Sequence, residues 1–394
     1  MTDTVVAINA GSSSVKFAHF GASADLPRLV HGQIEGIGRR PVLELYAGSV
    51  PTASPELPPA LQEHSDLIGF VLEEIIAPQP GRCIGVGHRI VHGGNRFSQP
   101  TPIDHRILHD LAEMVPLARS HQPHNLAGVR AARSVWPDIP QIACFDTAFH
   151  HTVPRRHSTC AIPKWLRDEG VRRYGFHGLS YEAVKHWIAE FDHELARARV
   201  VVAHLGNGAS LCGMLDGESR YTSMGFTPLD GLVMGRRPGR LDPGVVLYLA
   251  QEKQMNPKQI ADLLNQECGL IGLSGTSPDM RELLADASAA SVLAVEVFLA
   301  RLACEIGSAC AAIGGLDALV FTGGIGQNSE EIRARAASEL SWLGVSIDAA
   351  ANRRNRTEIG CDDSRVRVFV LPADEERMIA RHTINCLDAA DIHR

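Results

Sequence analysis

No pair of cysteines in this chain is spaced as CxxC, and no long run of Lys and Arg occurs anywhere along it. The first absence, with an odd count of nine scattered cysteines, argues against a zinc-ribbon or disulfide framework and for free thiols. The second, with a formal net charge of −7, argues against nucleic acid and anionic membrane as partners. There is no G-x-x-x-x-G-K-[ST] loop and no G-x-G-x-x-G, so neither a P-loop nor a Rossmann site explains any phosphate chemistry. The opening residues MTDTVVAINAG carry no basic region ahead of an apolar one, which points away from a signal peptide and towards the cytoplasm. The most apolar stretch, 288–316, holds Glu296, Arg301 and Glu305, so it reads as a long buried or interface helix and not as a membrane span. Low-complexity segments are also missing.

What is present is a chain of 394 residues, 45% hydrophobic and 21% charged, in the range of a globular protein with two or three domains. Its main regularity is an approximate internal repeat. VVAINAGSSSV from residue 5 parallels VVAHLGNGASL from residue 201, and each is an apolar run, a turn of small polar residues and a second apolar run. Two related halves, each opening on a strand–loop–strand hairpin, follow from this. Further strands are expected at 41–48, 84–91, 141–147, 318–324 and 365–372, alternating with helical spacing at 60–77 and 375–387, which gives an α/β layering. A helix is expected to start near Asn328, with Glu331 completing a capping box. Three loops of small residues follow apolar strands: 10–14, 205–210 and 322–329. Each alone reads as an ordinary tight turn. Together they suit a phosphate-bearing ligand, because glycine and serine let backbone amides converge on an anion.

The motifs INAGSSSVKF (8–17), GHRIVHGG (87–94), FDTAFH (145–150), YGFHGLS (174–180), AHLGNGAS (203–210), TSMGFTPLDG (222–231) and FTGGIGQNS (321–329) closely resemble those of the acetate kinase family, in the family's order. The resemblance implies two duplicated RNase H-like domains with a nucleotide cleft between them, the sugar kinase, Hsp70 and actin architecture. It divides the chain into 1–148 plus 374–394 and 149–373, the latter for nucleotide binding and dimerisation. It implies reversible transfer of the ATP γ-phosphoryl group to acetate, dependent on Mg²⁺ or Mn²⁺. Arg89, Asp146, His177 and Arg237 match the catalytic positions. Arg89, Val91, His121, Phe176 and Pro228 match the carboxylate site. Ser12, Lys16, His204, Asn207, Gly208, Gly324, Ile325 and Asn328 match the nucleotide site, and Asn9 and Glu375 the metal position. The chemistry agrees: guanidinium is planar and always charged, so it holds carboxylate and phosphoryl oxygens together. His88 and His92, four apart in a strand-like run, are not read as metal ligands.

Some positions depart from the family's usual residues. Arg236 and Arg240 make the loop around Arg237 unusually basic, Pro238 stands where a small hydroxyl residue is usual, Gln327 where glutamate is common, and Ser120 replaces a leucine beside His121. The extra charge raises the expectation of another phosphoryl donor, such as pyrophosphate, and Ser120 that of a propionate or other short-chain acyl acceptor. A non-catalytic nucleotide sensor is the rival from another class, and it would need few of these residues. A histidine-based metal hydrolase is a further rival.

Overall fold

The computed structural model describes residues 2–11 and 13–392 and resolves into two compact units. The first comprises 1–149, 178–183 and 374–394, and the second 150–177 and 184–373.

The first unit is built on an eight-stranded sheet of β1 (Asp3–Ala10), β2 (Ser14–Gly21), β3 (Arg28–Glu35), β4 (Val42–Ala47), β5 (Val50–Thr52), β6 (Arg82–Ile90), β7 (Thr101–Pro102) and β8 (Gln141–Phe145). Its order is β5-β4-β3-β2-β1-β6-β8-β7. The central strand β1 is buried on both faces, because alternate side chains feed two cores. Val6 and Ile8 join Leu67, Ile68, Val71 and Leu72 on one side, and Val5 and Ala7 join Met378, Ile379 and Ala380 of the closing helix on the other. The helical spacing at 60–77 becomes an α-helix, His64–Phe70, that widens into a π-helical turn, Val71–Ile76. The closing helix, Glu375–Ile392, runs past the expected end at 387. It lies so close to β6 that a Cβ on Gly87 would fall 2.2 Å from Thr383 Oγ1 and one on Gly85 2.9 Å from Leu387. Two glycines in β6 therefore let the middle of that helix, Ile379 to Leu387, lie against the strand that carries Arg89.

The second unit contains β9 (Arg199–Leu205), β10 (Ala209–Leu215), β11 (Glu218–Thr222), β12 (Ala318–Thr322) and β13 (Arg367–Val370), in the order β11-β10-β9-β12-β13. This is the same arrangement as β3-β2-β1-β6-β8: an antiparallel meander with two parallel strands added on the other side of its first strand. The repeat seen in the sequence is thus a repeat of topology. The apolar stretch forms one helix, Ala289–Ile313, capped by Ser288 Oγ on Ser291 N–H and ended by Gly314 at φ +81°. Phe298, Leu302, Ile306 and Ala309 of this helix are buried. Among the described residues no helix is long and apolar enough to cross a membrane.

One expected boundary is corrected. Helix begins directly after β12, as Gly323–Asn328, and a second helix, Glu330–Glu339, takes its cap from Ser329 Oγ on Ile332 N–H. Asn328 instead turns its amide back to the Gly324 carbonyl.

Candidate active site

In the first unit, Arg89 sits one residue before the end of β6, and Asp146 directly follows β8, its parallel neighbour. The guanidinium donates through Nε and Nη2 to Asp146 (3.0 and 2.6 Å) and through Nη1 to Asn9 Oδ1 at 3.0 Å. Asp146 is fully buried and Arg89 only 15% exposed, so the charge of each compensates burial of the other. Burial opposes the Arg89 charge, yet Asp146, Glu375 and Glu376 raise its pKa. Asn9 Nδ2 in turn donates to Glu375 Oε2 (2.8 Å) and to Glu376 Oε1 (3.1 Å). Burial, then the neighbouring Glu375, push Glu376 up, while Lys16 pulls it down. Lys16 lies across from Asn9 in the β1–β2 pairing, with its side chain exposed.

The result is a surplus of carboxylates, Asp146, Glu375 and Glu376, around one guanidinium. Such a set of hard oxygen donors fits a magnesium-type cation at Asn9 and Glu375, and Glu376 is an added member that the sequence reading did not name. The doubled glutamate opening the last helix is visible in the sequence, but the reach of its second member to Asn9 is not. Ser12 lies outside the described residues. Elsewhere in this unit, Asn125 ties Val91 N–H to its Oδ1 (2.9 Å) and the Ala10 carbonyl to its Nδ2 (2.7 Å). Gln122 does the same for the backbone of His92. These clamps fix the Gln122–Val135 helix, at whose N-cap His121 stands beside the half-buried Ser120. Val91 is buried. His88 bonds Gln141 at 2.7 Å, and His92 Nδ1 accepts from Gly94 N–H.

The second unit gathers a separate group. His177 adopts the left-handed conformation (φ +59°, ψ 27°), rare for a residue with a side chain. Its Nδ1 is 2.8 Å from Ser210 Oγ, and its ring stacks on His204 at 4.2 Å. Ser210, paired with His204 across β9–β10, is the orienting residue that motif reading passed over. Arg237 donates to the Pro228 carbonyl at 2.7 Å. Gly208 separates the two functional groups: a Cβ there would lie 2.9 Å from Arg237 Nη2 and 3.3 Å from His177 Nε2. Asn207 is exposed at the hairpin tip, and its carbonyl receives Gly235 N–H. The hairpin also abuts the third loop, since a Cβ on Gly206 would approach Gly324 N to 3.8 Å. Gly324 is exposed and Ile325 half-buried there. Phe176 is buried. Arg236 reaches the Gln266 carbonyl, and Arg240 faces Glu305. The basic loop therefore does not present three unengaged charges.

The Acetokinase family model matches residues 4–381. The chain is 48% identical to an acetate kinase of Nitrobacter hamburgensis over 98% of its length and 96% of the relative's. It is 46% identical to one of Methylocella silvestris over 98% and 99%. Among solved structures it is similar to a propionate kinase from Francisella tularensis (36% identity, TM-score 0.88, covering 97% of this chain and 99% of that one). It is likewise similar to Porphyromonas gingivalis acetate kinase (34%, TM-score 0.84, covering 98% and 100%).

Proposed function

Because this chain belongs to the acetokinase family and is a phosphotransferase with a carboxyl group as acceptor, we propose that it moves the γ-phosphoryl group of ATP reversibly to acetate, giving acetyl phosphate and ADP. The observation that carries the reading is the buried Arg89 fork, held by Asp146 and Asn9. A guanidinium fixed in this way has little freedom to lose when it meets a carboxylate and a transferring phosphoryl group.

The roles follow from the chemistry of each group. Acetate is already ionised at neutral pH, so Asp146 is not needed as a general base; it orients Arg89. Arg237 supplies the second positive charge to the phosphoryl oxygens, and His177, oriented by Ser210, a hydrogen bond to the same oxygens. Lys16 and the 205–210 hairpin serve the nucleotide phosphates, and Gly324, Ile325 and Asn328 the adenosine. Asn9, Glu375 and Glu376 would hold Mg²⁺, which when bound supplies charge neutralisation and alignment of phosphate oxygens. Val91, His121, Phe176 and Pro228 form the acceptor's surroundings. The two units serve as the two domains of the enzyme.

The likeness to a propionate kinase favours propionate as the second acceptor, since one methylene is worth only about 1–3 kcal/mol of discrimination. Dimerisation through the second unit is supported by exposed Leu247 (56%), Tyr248 (50%), Val292 (43%) and Leu293 (49%). A cytoplasmic setting is supported by nine free cysteines.

The test is hydroxamate-trapped acyl phosphate formation with Mg-ATP against acetate, propionate and butyrate, with pyrophosphate as the other donor. Acetate turnover with ATP, abolished by Arg237→Ala, is expected. Turnover confined to pyrophosphate, or zinc-dependent hydrolysis without any nucleotide, would overturn it.

A further inference from the structure

Glu305 is a carboxylate in an unusual position. It lies in the middle of the Ala289–Ile313 helix and is 4% exposed. Its Oε2 accepts from the Tyr221 hydroxyl at 2.8 Å, Tyr221 being a residue of β11. Its Oε1 faces Arg240 Nη1 at 4.0 Å. A buried carboxylate with one neutral donor is poorly compensated, and the arginine adds a positive charge on its open side.

Arg240 ends the turn that carries Arg237. Arg240 N–H donates to the Gly231 carbonyl (3.0 Å), and Met234 N–H to the Arg237 carbonyl (3.1 Å), so 231–240 is folded back on itself. Two glycines are required for this. Gly239 is at φ +71°, where a Cβ would lie 2.3 Å from the Leu232 carbonyl oxygen, and Gly231 is at φ +98°. Gly269, at φ +70°, presses on the same turn, with no room for a Cβ beside the Met234 and Arg237 carbonyls. The turn is therefore a compact body, and Arg240 gives it a charged link to the helix behind it.

We propose that Arg240, Glu305 and Tyr221 form an anchor that positions Arg237, making Arg240 a positioning residue for phosphoryl transfer and not a ligand of the donor. The exposed side chain of Arg240 (68%) adds its charge to the protein's own buried carboxylate. Without it, Glu305 loses a countercharge and the turn one of its ties, and Arg237 samples a wider range of positions. A catalytic group displaced by about 1 Å can lose about a hundredfold in rate, and partial loosening less.

The kinetic arm of the test rests on the phosphotransferase reading; a second arm does not. Arg240→Gln is expected to lower kcat about tenfold with both KM values within about twofold. Adding Glu305→Gln should return kcat to within about threefold of the parent, because a neutral amide needs no countercharge and still accepts from Tyr221. Amide exchange over 231–240, measured without substrates, should quicken in Arg240→Gln and recover in the double variant. Unchanged exchange in Arg240→Gln, or substitutions whose effects add instead of cancelling, would overturn the anchor. An inactive parent chain would sink the phosphotransferase reading, while the exchange arm would still decide the anchor.

Discussion

Arg89 is the residue on which the first unit's chemistry turns, and its neighbours explain why lysine cannot replace it. Two nitrogens serve Asp146 and a third serves Asn9, a division only a planar fork can make. Arg89→Lys keeps a positive charge beside Asp146, so its stability should stay within about 1–2 kcal/mol of the parent while kcat falls about a hundredfold or more. Arg89→Ala should in addition lose about 3–5 kcal/mol, because a buried carboxylate is left without its cation. Urea melts beside steady-state rates separate the two, and equal stability losses in both would refute this account. Arg89 was legible in the sequence because a charge among strand residues has no comfortable way to face solvent. Glu376 was not. Its part comes from a hydrogen bond to Asn9 almost a whole chain away, which no local pattern reports. Arg240 was legible as an oddity but not in its consequence, since counting charge in a loop says nothing of the buried Glu305 that answers it.

At the scale of elements, the hairpin was the clearest thing in the sequence. Apolar runs around a turn of small residues gave β1–β2 and β9–β10, and both became the starting strands of the same sheet order. The third small-residue loop misled. TGGIG reads as coil because glycine is a poor helix former, yet Gly323–Asn328 is helical. Gly323, at φ +75°, tucks where a Cβ would lie 2.7 Å from the Leu205 carbonyl, so packing on the hairpin overrides propensity. The hairpin turn also carries a prediction. The backbone at Gly208 does not adopt a positive φ, so alanine there meets no left-handed strain. Its methyl group would instead press on Arg237 Nη2 and His177 Nε2. Gly208→Ala should keep the thermal midpoint within a few degrees and lower kcat about tenfold to a hundredfold. A fully active Gly208→Ala enzyme would mean that neither Arg237 nor His177 works from the position seen.

For the whole molecule, the telling feature is histidine buried without charge. His19, His88, His92 and His150 are each held down to about 4 by burial, against 6.5 for a free imidazole. A depressed folded pKa means the unfolded chain takes up the proton first. The stability these groups contribute is therefore complete above about pH 6.5 and is lost as pH falls towards about 4. Each can add a slope of up to about 1.4 kcal/mol per pH unit in that window. The load is uneven: His19, His88 and His92 belong to the first unit and only His150 to the second. Acid should therefore open the first unit first, and a single two-state transition should not describe the titration. Trp136 is the tryptophan of that unit, half-buried against its core, so the early fluorescence change on acidification should vanish in Trp136→Phe. His19 offers the control, since neither of its ring nitrogens has a hydrogen-bond partner. His19→Leu removes one titrating group and an unsatisfied buried imidazole, so it should stabilise the first unit by about 1–2 kcal/mol at neutral pH and by more near pH 5. Loss of stability in His19→Leu, or coincident acid transitions in both units, would show that burial of these rings does not set the acid limit of the protein.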